Sequence, residues 1–492
     1  MKEFEIERKF LLRPCSPKRF LHSAGLEYRK YFMQQYYLPE QEEGYVRYRR
    51  RDKKFFKTIK SGEGMVREES EYPVSKEEFD SHLENHVGKI IKKERFVFDY
   101  EGLTYELDRF GGALKGLCYL EIEFDDEMTA EAFGLPEIFS RLVIAEVTDD
   151  RRFNNASISK SACIPALDTD LDSLLKNITS SISPKESTGS IALEPFESSH
   201  AVIQAILQNL TGAVEENRKR LLQNGDDPEI LHQFRISMRR IRSALGAFKK
   251  FFAPSWFALH RRNLSLLMAQ TNTKRDIDVL LEKMDFYRSL LPKKMQKELI
   301  PLKAHLLAEK VHLDIQAVKL AENELLHYEI SALVKPDLKG CRLEDKVSQP
   351  IVITAMQILD KRITSILKEG KRLNAQSEEQ AYHTLRIQFK KMRYLIEVME
   401  PLVEKQKYKD AMKLIRKMQN ILGDFHDYQV QRTLLSAFGT ERVLRMKKTK
   451  KAMRVLIQEI EKLEEEQEEK FRKKFVKMEV YEKKLRRLFE VY

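Results

Sequence analysis

The sequence predicts an α+β chain, a β-rich N-terminal third followed by an all-helical remainder. Three observations carry this. Over residues 1–165, short aromatic-rich runs alternate with turn residues, as in antiparallel strands that curl into a barrel or a strongly curved sheet. From Pro195 onward, apolar residues recur at helical spacing in long segments with few glycines. Within that helical stretch a single motif returns at a fixed offset, the mark of an internal repeat.

The chain has 492 residues, 42% hydrophobic and 33% charged, which fits one to four soluble domains with long exposed helices. Charge divides unevenly. Residues 1–165 carry 28 Lys+Arg and 31 Asp+Glu, a net of −3. The rest carries 60 (88 − 28) against 45 (76 − 31), a net of +15. A polyanionic partner is therefore expected for the helical half. Cys15, Cys118, Cys163 and Cys341 are scattered without metal-ligand spacing, which argues against disulfides and structural zinc. The start has no apolar leader and no apolar run nears the length of a span, so a cytoplasmic protein is expected.

Strands are expected at Tyr31–Leu38, Tyr45–Arg51, Phe55–Lys60, Met65–Val74, Arg95–Tyr100, Leu103–Phe110 and Leu117–Phe124, with helices at Lys76–Glu84 and Thr129–Leu142. A further strand holds Glu5-Ile6-Glu7-Arg8-Lys9. There Glu5, Glu7 and Lys9 share one face and Phe4, Ile6 and Phe10 the other. Taken alone, that is a surface strand with a solvated face. The other strands repeat the pattern: Arg47 with Arg49, Glu69 with Glu71, Glu106 with Asp108, Glu121 with Glu123, and Lys60, Arg67 and Arg95 nearby. If these faces converge, the interior holds both carboxylates and cations. A core has no use for that, because an unpaired buried charge costs several kcal/mol. A tunnel that holds metal ions and phosphates does: carboxylates take hard divalent cations, and Arg and Lys take phosphate oxygens.

Glu5-Ile6-Glu7-Arg8-Lys9-Phe10 resembles the opening signature of the CYTH domain, the triphosphate tunnel metalloenzymes. Arg47-Tyr48-Arg49, Thr58-Ile59-Lys60, Arg67-Glu68-Glu69-Ser70-Glu71, Glu106-Leu107-Asp108, Leu120-Glu121-Ile122-Glu123 and Glu146-Val147-Thr148-Asp149 follow in the family's order. The resemblance implies an eight-stranded antiparallel tunnel acting on triphosphates with Mg²⁺ or Mn²⁺. It assigns metal binding to Glu5, Glu7, Glu121, Glu123 and Asp108, with Glu71 a lesser candidate. Catalysis falls to Glu5, Glu7 and Lys9, and phosphate binding to Arg47, Arg49, Lys60, Arg67 and Arg95. One departure is Ala145, where the family often has Lys; either one phosphate contact is missing, or Arg151 or Arg152 supplies it.

Residues 166–195 read as a linker rich in Ser, Thr, Pro and Gly, with a short helix near Leu171–Leu175. Helices are then expected at 199–223, 228–252, 256–271, 275–290 and 293–328, and again at 350–373, 378–399, 405–422, 426–437 and 440–490. His232, Arg235, Arg239 and Arg242 lie on one helix face. His383, Arg386, Lys390 and Arg393 repeat them at an offset of 151 (383 − 232), and the same offset maps Arg275-Asp276 onto His426-Asp427. Two four-helix bundles, about 196–345 and 346–490, are expected. One such face is commonly only solvated; two matched copies point to a convergent basic surface. This region, 196–490, resembles the CHAD domain, which implies a basic channel that binds long-chain inorganic polyphosphate. The residues it assigns are the eight just named together with Arg275 and His426. Ligation of a metal by the histidines is the weaker alternative, since they sit among cations.

The expected function is therefore hydrolysis of inorganic triphosphate in the tunnel, with polyphosphate bound by the helical half and polyphosphate granules as an implied location. Alternatives are a polyphosphate receptor without turnover, an adenylate cyclase or a thiamine triphosphatase. Nucleic acid is disfavoured as partner, because no stacking pattern of aromatic and basic residues appears. No membrane partner is expected.

Overall fold

Among the described residues, nine strands form the N-terminal region: β1 (Glu3–Leu12), β2 (Arg29–Tyr37), β3 (Tyr45–Arg51), β4 (Lys54–Ser61), β5 (Val66–Val74), β6 (Val87–Tyr100), β7 (Leu103–Phe110), β8 (Cys118–Phe124) and β9 (Val143–Glu146). The computed structural model describes residues 3–39, 45–61, 66–174, 192–224, 227–338, 349–374, 377–438 and 446–492, without the side chains of 3–5, 45, 60–61 and 66–69. The strands run side by side as β5-β4-β3-β2-β6-β7-β8-β1-β9, each antiparallel to its neighbour. The ends of the first eight meet, because Glu3–Ile6 of β1 also pair with Val66–Glu69 of β5. Further along, the same edge of β1 is taken by β9, at Phe10–Leu12.

This sheet is apolar outside and charged inside. Phe10, Leu12, Phe96, Phe98, Tyr105, Leu107, Leu120 and Ile122 point outward, into a cluster with Phe20 and Leu21 of α1 (Pro17–Ser23) and with Phe139 and Leu142. Tyr36, Val46 and Tyr48 pack outward on Phe79 of α2 (Lys76–Ser81). With period two, the alternate residues must face inward. At one end the inward residues turn apolar: Leu11, Tyr37, Ile91, Phe110 and Tyr119 join a cluster with Ile158 of α4 (Asn155–Ser161). Gly88 lets α4 sit this close. Its φ is +73°, and a Cβ there would stand 2.4 Å from the Ser159 carbonyl oxygen.

Two N-terminal expectations need correcting. The helix expected at Thr129–Leu142 is only α3 (Glu127–Ala132), because Pro136 bars its preceding residue from helical geometry. Strand β6 begins at Val87, not Arg95; the run Lys92-Lys93-Glu94 hides the alternation in which Lys93 is buried and Lys92 exposed.

The helical half comprises α5 (Ser199–Gln223), α6 (Pro228–Ala247), α7 (Pro254–Ala269), α8 (Asn272–Glu282), α9 (Met284–Ser289), α10 (Ile300–Ala321), α11 (Glu324–Val334), α12 (Ile351–Gly370), α13 (Glu379–Val398), α14 (Lys405–Phe438) and α15 (Lys447–Arg486). The bounds of α13 are those of α6 shifted by 151 (379 − 228 and 398 − 247). The expected helix 293–328 is split because Asn323 caps α11, its side chain accepting from Leu325 N at 2.9 Å. The break expected near 423 is absent: α14 runs through Gly423, where the first repeat has separate α7 and α8. The C-terminus returns to the sheet. Val491 pairs with Cys15, Arg109 donates to Glu490 at 3.0 Å, and the Tyr492 ring meets Phe20 at 5.3 Å. Among the described residues, no helix is long and apolar enough to cross a membrane.

Candidate functional site

Strand register sets the inner face. Residues opposite one another on paired strands share a face, and the ladders place Glu7 opposite Glu123, Lys9 opposite Glu121, and Glu121 opposite Glu106. Asp108 stands opposite Arg95, Arg47 opposite Thr58, and Thr58 opposite Glu71. Glu5 is opposite Arg67 and Lys60 opposite Glu69; the side chains of Glu5, Lys60 and Arg67 lie outside the described residues. The sequence-derived tunnel residues thus share one face.

At its centre is a buried ion cluster. Arg95 donates from Nε to Asp108 at 2.8 Å and from Nη2 to Asp108 at 2.8 Å and Glu121 at 2.6 Å, and it also contacts Glu106. Lys9 Nζ lies 3.1 Å from Glu121 and 3.7 Å from Glu7. Arg47 reaches Thr58 at 3.2 Å, and Arg49 pairs with Glu71. Asp108 is 0% exposed and Glu121 4%, so this charge is taken fully out of water and survives only by mutual pairing. Burial pushes the Glu121 carboxyl up, but Lys9, Lys93 and Arg95 together hold it well below the usual range.

The sequence reading missed Lys93. It is 2% exposed and paired with Asp108, and burial followed by the nearby Arg95 brings its ammonium down to about 8. The available signal was the alternation of Lys93 with Arg95. Asp108 and Glu121, expected as metal ligands, are occupied by these cations. Glu7 is buried and its partner Glu123 is exposed at the other end of the inner face from the apolar plug. Among the described residues, no three His, Cys, Asp or Glu side chains converge as a metal site. Arg152 pairs with Asp150 at 2.7 Å and Asp168 at 2.8 Å and is not in this cluster.

In the helical half, α6 packs against α13 and brings the two basic faces together. Arg239, Arg386, Lys390 and Arg393 act on one another there, with Asp427 close by. The buried Nε atoms of Arg239 and Arg386 have no hydrogen-bond partner among the described residues. Burial, then Arg386 and Arg239, bring Lys390 down to about 7. Burial, then Arg386, His383 and Lys390, bring His426 down to about 3. His383 and His426 meet Nδ1 to Nδ1 at 3.4 Å. Arg235 is used differently, bonding Met268 O at 3.0 Å and Asn272 Oδ1 at 2.8 Å, which fixes the α7–α8 turn. Arg242 lies 3.2 Å from Met268 Sδ. His232 and Arg275 sit near each other, and burial followed by Arg275 lowers the His232 imidazole.

Comparison with known proteins accords with both halves. The model of the CYTH domain matches residues 3–154 and that of the CHAD domain residues 205–436. An inorganic triphosphatase of Nitrosomonas europaea is 32% identical over 158 residues, spanning 32% of this chain and 97% of that protein. Another inorganic triphosphatase, from Acetivibrio thermocellus, is 34% identical over 159 residues, spanning 32% of this chain and 94% of its own. Among solved structures, the CHAD domain from the plant Ricinus communis is 24% identical, covering 55% of this chain and 90% of that one with a TM-score of 0.48. The inward-facing charges, the strand ladder, the two matching domain models and the near-complete coverage of the two triphosphatases lead to one assignment: the chain belongs to the CYTH family and carries a CHAD domain behind its tunnel.

Proposed function

We propose that the tunnel hydrolyses inorganic triphosphate with a divalent metal, and that the helical half binds inorganic polyphosphate. The observation that carries the tunnel reading is the buried inner face, where carboxylates and cations stand together on strands whose outer face is apolar. Two curated relatives bear the name inorganic triphosphatase.

The carboxylates Glu7 and Glu123, with Glu5 on the same strand face by register, are the donor types a hard cation takes. Glu7 and Glu123 stand directly opposite each other, and like charges so placed repel unless a cation lies between them. When bound, Mg²⁺ or Mn²⁺ would neutralise phosphate oxygens and acidify a water. Lys9, held by Glu121 and Glu7, presents its ammonium to the phosphate chain beside that end. Arg47, Arg49 and Arg95, with Lys60 and Arg67 by register, hold the remaining oxygens, and Lys93 supports Asp108. The paired carboxylates fix these cations in place before substrate arrives, so little reorganisation is needed.

The test is phosphate release from triphosphate, with and without Mg²⁺ or Mn²⁺, beside ATP and long-chain polyphosphate. Metal-dependent release from triphosphate is expected to exceed release from the others. No release from any of them, with polyphosphate still bound, would favour a receptor without turnover. Ala145 supports that second reading: it pairs with inward-facing Leu11, so the usual Lys is missing from the inner face.

For the helical half, the basic faces of α6 and α13 support the reading, through the buried Arg239 and Arg386 nitrogens that lack a partner among the described residues. Bound phosphate would favour charged Lys390. With its ammonium brought down to about 7 in the free protein, this cation is lost as pH rises through that value. Polyphosphate affinity is therefore expected to fall between about pH 6 and 8.5, where an ordinary lysine stays charged. Titration calorimetry across that range checks it, and Lys390→Met should flatten the profile.

A further inference from the structure

A cavity of about 790 Å³ lies where the two halves of the chain meet. One wall belongs to the sheet half, Ala113 and the Ala162–Ile164 segment that follows α4. The other belongs to the helical half and carries Lys249, Lys250, Arg261, Lys361, Arg362 and Lys391. No carboxylate lines the cavity among the described residues. Arg362 is anchored by donating to Gln388 Oε1 at 2.8 Å. Lys361 is crowded by Lys250, which together with partial burial lowers its ammonium below the ordinary lysine value. Lys391 is lowered by burial and then by Arg362, Arg261 and Arg242, with Glu369 offsetting some of this.

These cations continue the basic face already described. Arg242 feels Arg261 on one side and Arg239 on the other, after its own burial. A row of interacting positive groups thus runs from Arg239 between the repeats, through Arg242 and Arg261, to Lys391 and Arg362 in the cavity, which the Lys250–Lys361 pair also lines. Like charges held this close repel in the empty protein, and a polyanion relieves the repulsion by charge-assisted hydrogen bonds. Small molecules with few charges would meet few of these groups at once; a chain of condensed phosphates meets them in succession.

We propose that the interdomain cavity is a second binding site for condensed phosphate, in which a polyphosphate chain leaving the basic face between the repeats is gripped against the sheet half. The proposal rests on the polyphosphate reading of the helical half. It adds a site at the junction, beside the segment that follows the helix plugging the tunnel's apolar end.

The experiment uses the full chain and inorganic polyphosphate of defined length. The variant Lys249→Ala/Lys250→Ala/Lys361→Ala removes three cations whose side chains are exposed, so folding is preserved. Binding should weaken about tenfold or more, and the slope of log affinity against log salt should become shallower by about 2. A second readout is independent of the variant. Cys163 lines the cavity and is half-buried, whereas Cys15 and Cys118 are each 1% exposed. Alkylation of Cys163 by iodoacetamide, followed by peptide mass spectrometry, should slow when polyphosphate is added. Unchanged affinity and slope in the triple variant, with no protection of Cys163 while the wild type still binds, would overturn the junction site alone. A wild-type chain that binds no polyphosphate would overturn the parent reading as well.

Discussion

Replacing Glu7 by Gln is expected to lower phosphate release from triphosphate on the order of a hundredfold or more, with the fold intact. The substitution keeps shape and removes one negative charge. Glu7 faces Glu123 across the β1–β8 ladder and lies 3.7 Å from Lys9. If a divalent cation sits between Glu7 and Glu123, removing one of the carboxylate charges that hold it weakens it directly. It also loosens the electrostatic tether on Lys9, which would act on the phosphate chain. A thermal-shift titration with Mn²⁺ separates the two effects: metal should stabilise the wild type and do so far less in Glu7→Gln. Equal activity and equal metal response in the variant would remove Glu7 from the reaction. A loss of activity with an unaltered metal response would leave Glu7 only the task of positioning Lys9.

Arg95→Met should destabilise the tunnel by about 3–5 kcal/mol, the usual cost of removing one partner from a buried ion cluster. Arg95 touches Asp108, Glu106 and Glu121, and without it the cations paired with these carboxylates among the described residues are Lys9 and Lys93. The sign with pH follows. In the wild type, Glu121 is held well below the usual carboxyl range, so its contribution is present above about pH 4 and lost as pH falls. In the variant, the surplus negative charge favours proton uptake by the folded state. The deficit against wild type should therefore be largest near pH 7 and shrink toward pH 4. Urea unfolding at both pH values measures it. A second substitution, Asp108→Asn, should return some of the loss, because it removes a charge that Arg95 no longer balances. A deficit independent of pH, with no gain from Asp108→Asn, would mean that Arg95 acts by packing and not by charge.

Alternation made most of the tunnel legible. Glu5, Glu7 and Lys9 on one strand, and Glu121 with Glu123 on another, are period-two patterns that survive any tertiary arrangement, because side chains in a strand must alternate. Lys93 was lost to the same rule: its charged neighbours Lys92 and Glu94, both on the opposite face, erase the contrast that marks an inner position. The motif returning at an offset of 151 likewise located the repeat to the residue, with α13 lying 151 positions beyond α6. It did not foresee that α14 runs unbroken through Gly423, since a glycine inside a helix costs only about 1 kcal/mol and packing on both sides can outweigh that.

What the sequence by itself determined was local: which face of each strand or helix carries charge, and that the helical unit occurs twice. Only the tertiary structure decided who partners whom. Asp108 and Glu121 are bound to Arg95, Lys93 and Lys9, while Glu7, 3.7 Å from Lys9, stands opposite Glu123 toward the tunnel's other end. Arg235 fastens a turn, while Arg239 carries a buried nitrogen with no partner among the described residues into the space between the repeats. Lys250 and Lys361, more than a hundred residues apart, are brought to one cavity. The physical reason is range. Periodicity is written into neighbouring residues by backbone geometry, whereas ion pairing depends on which strands and helices the apolar surfaces bring together across the whole chain.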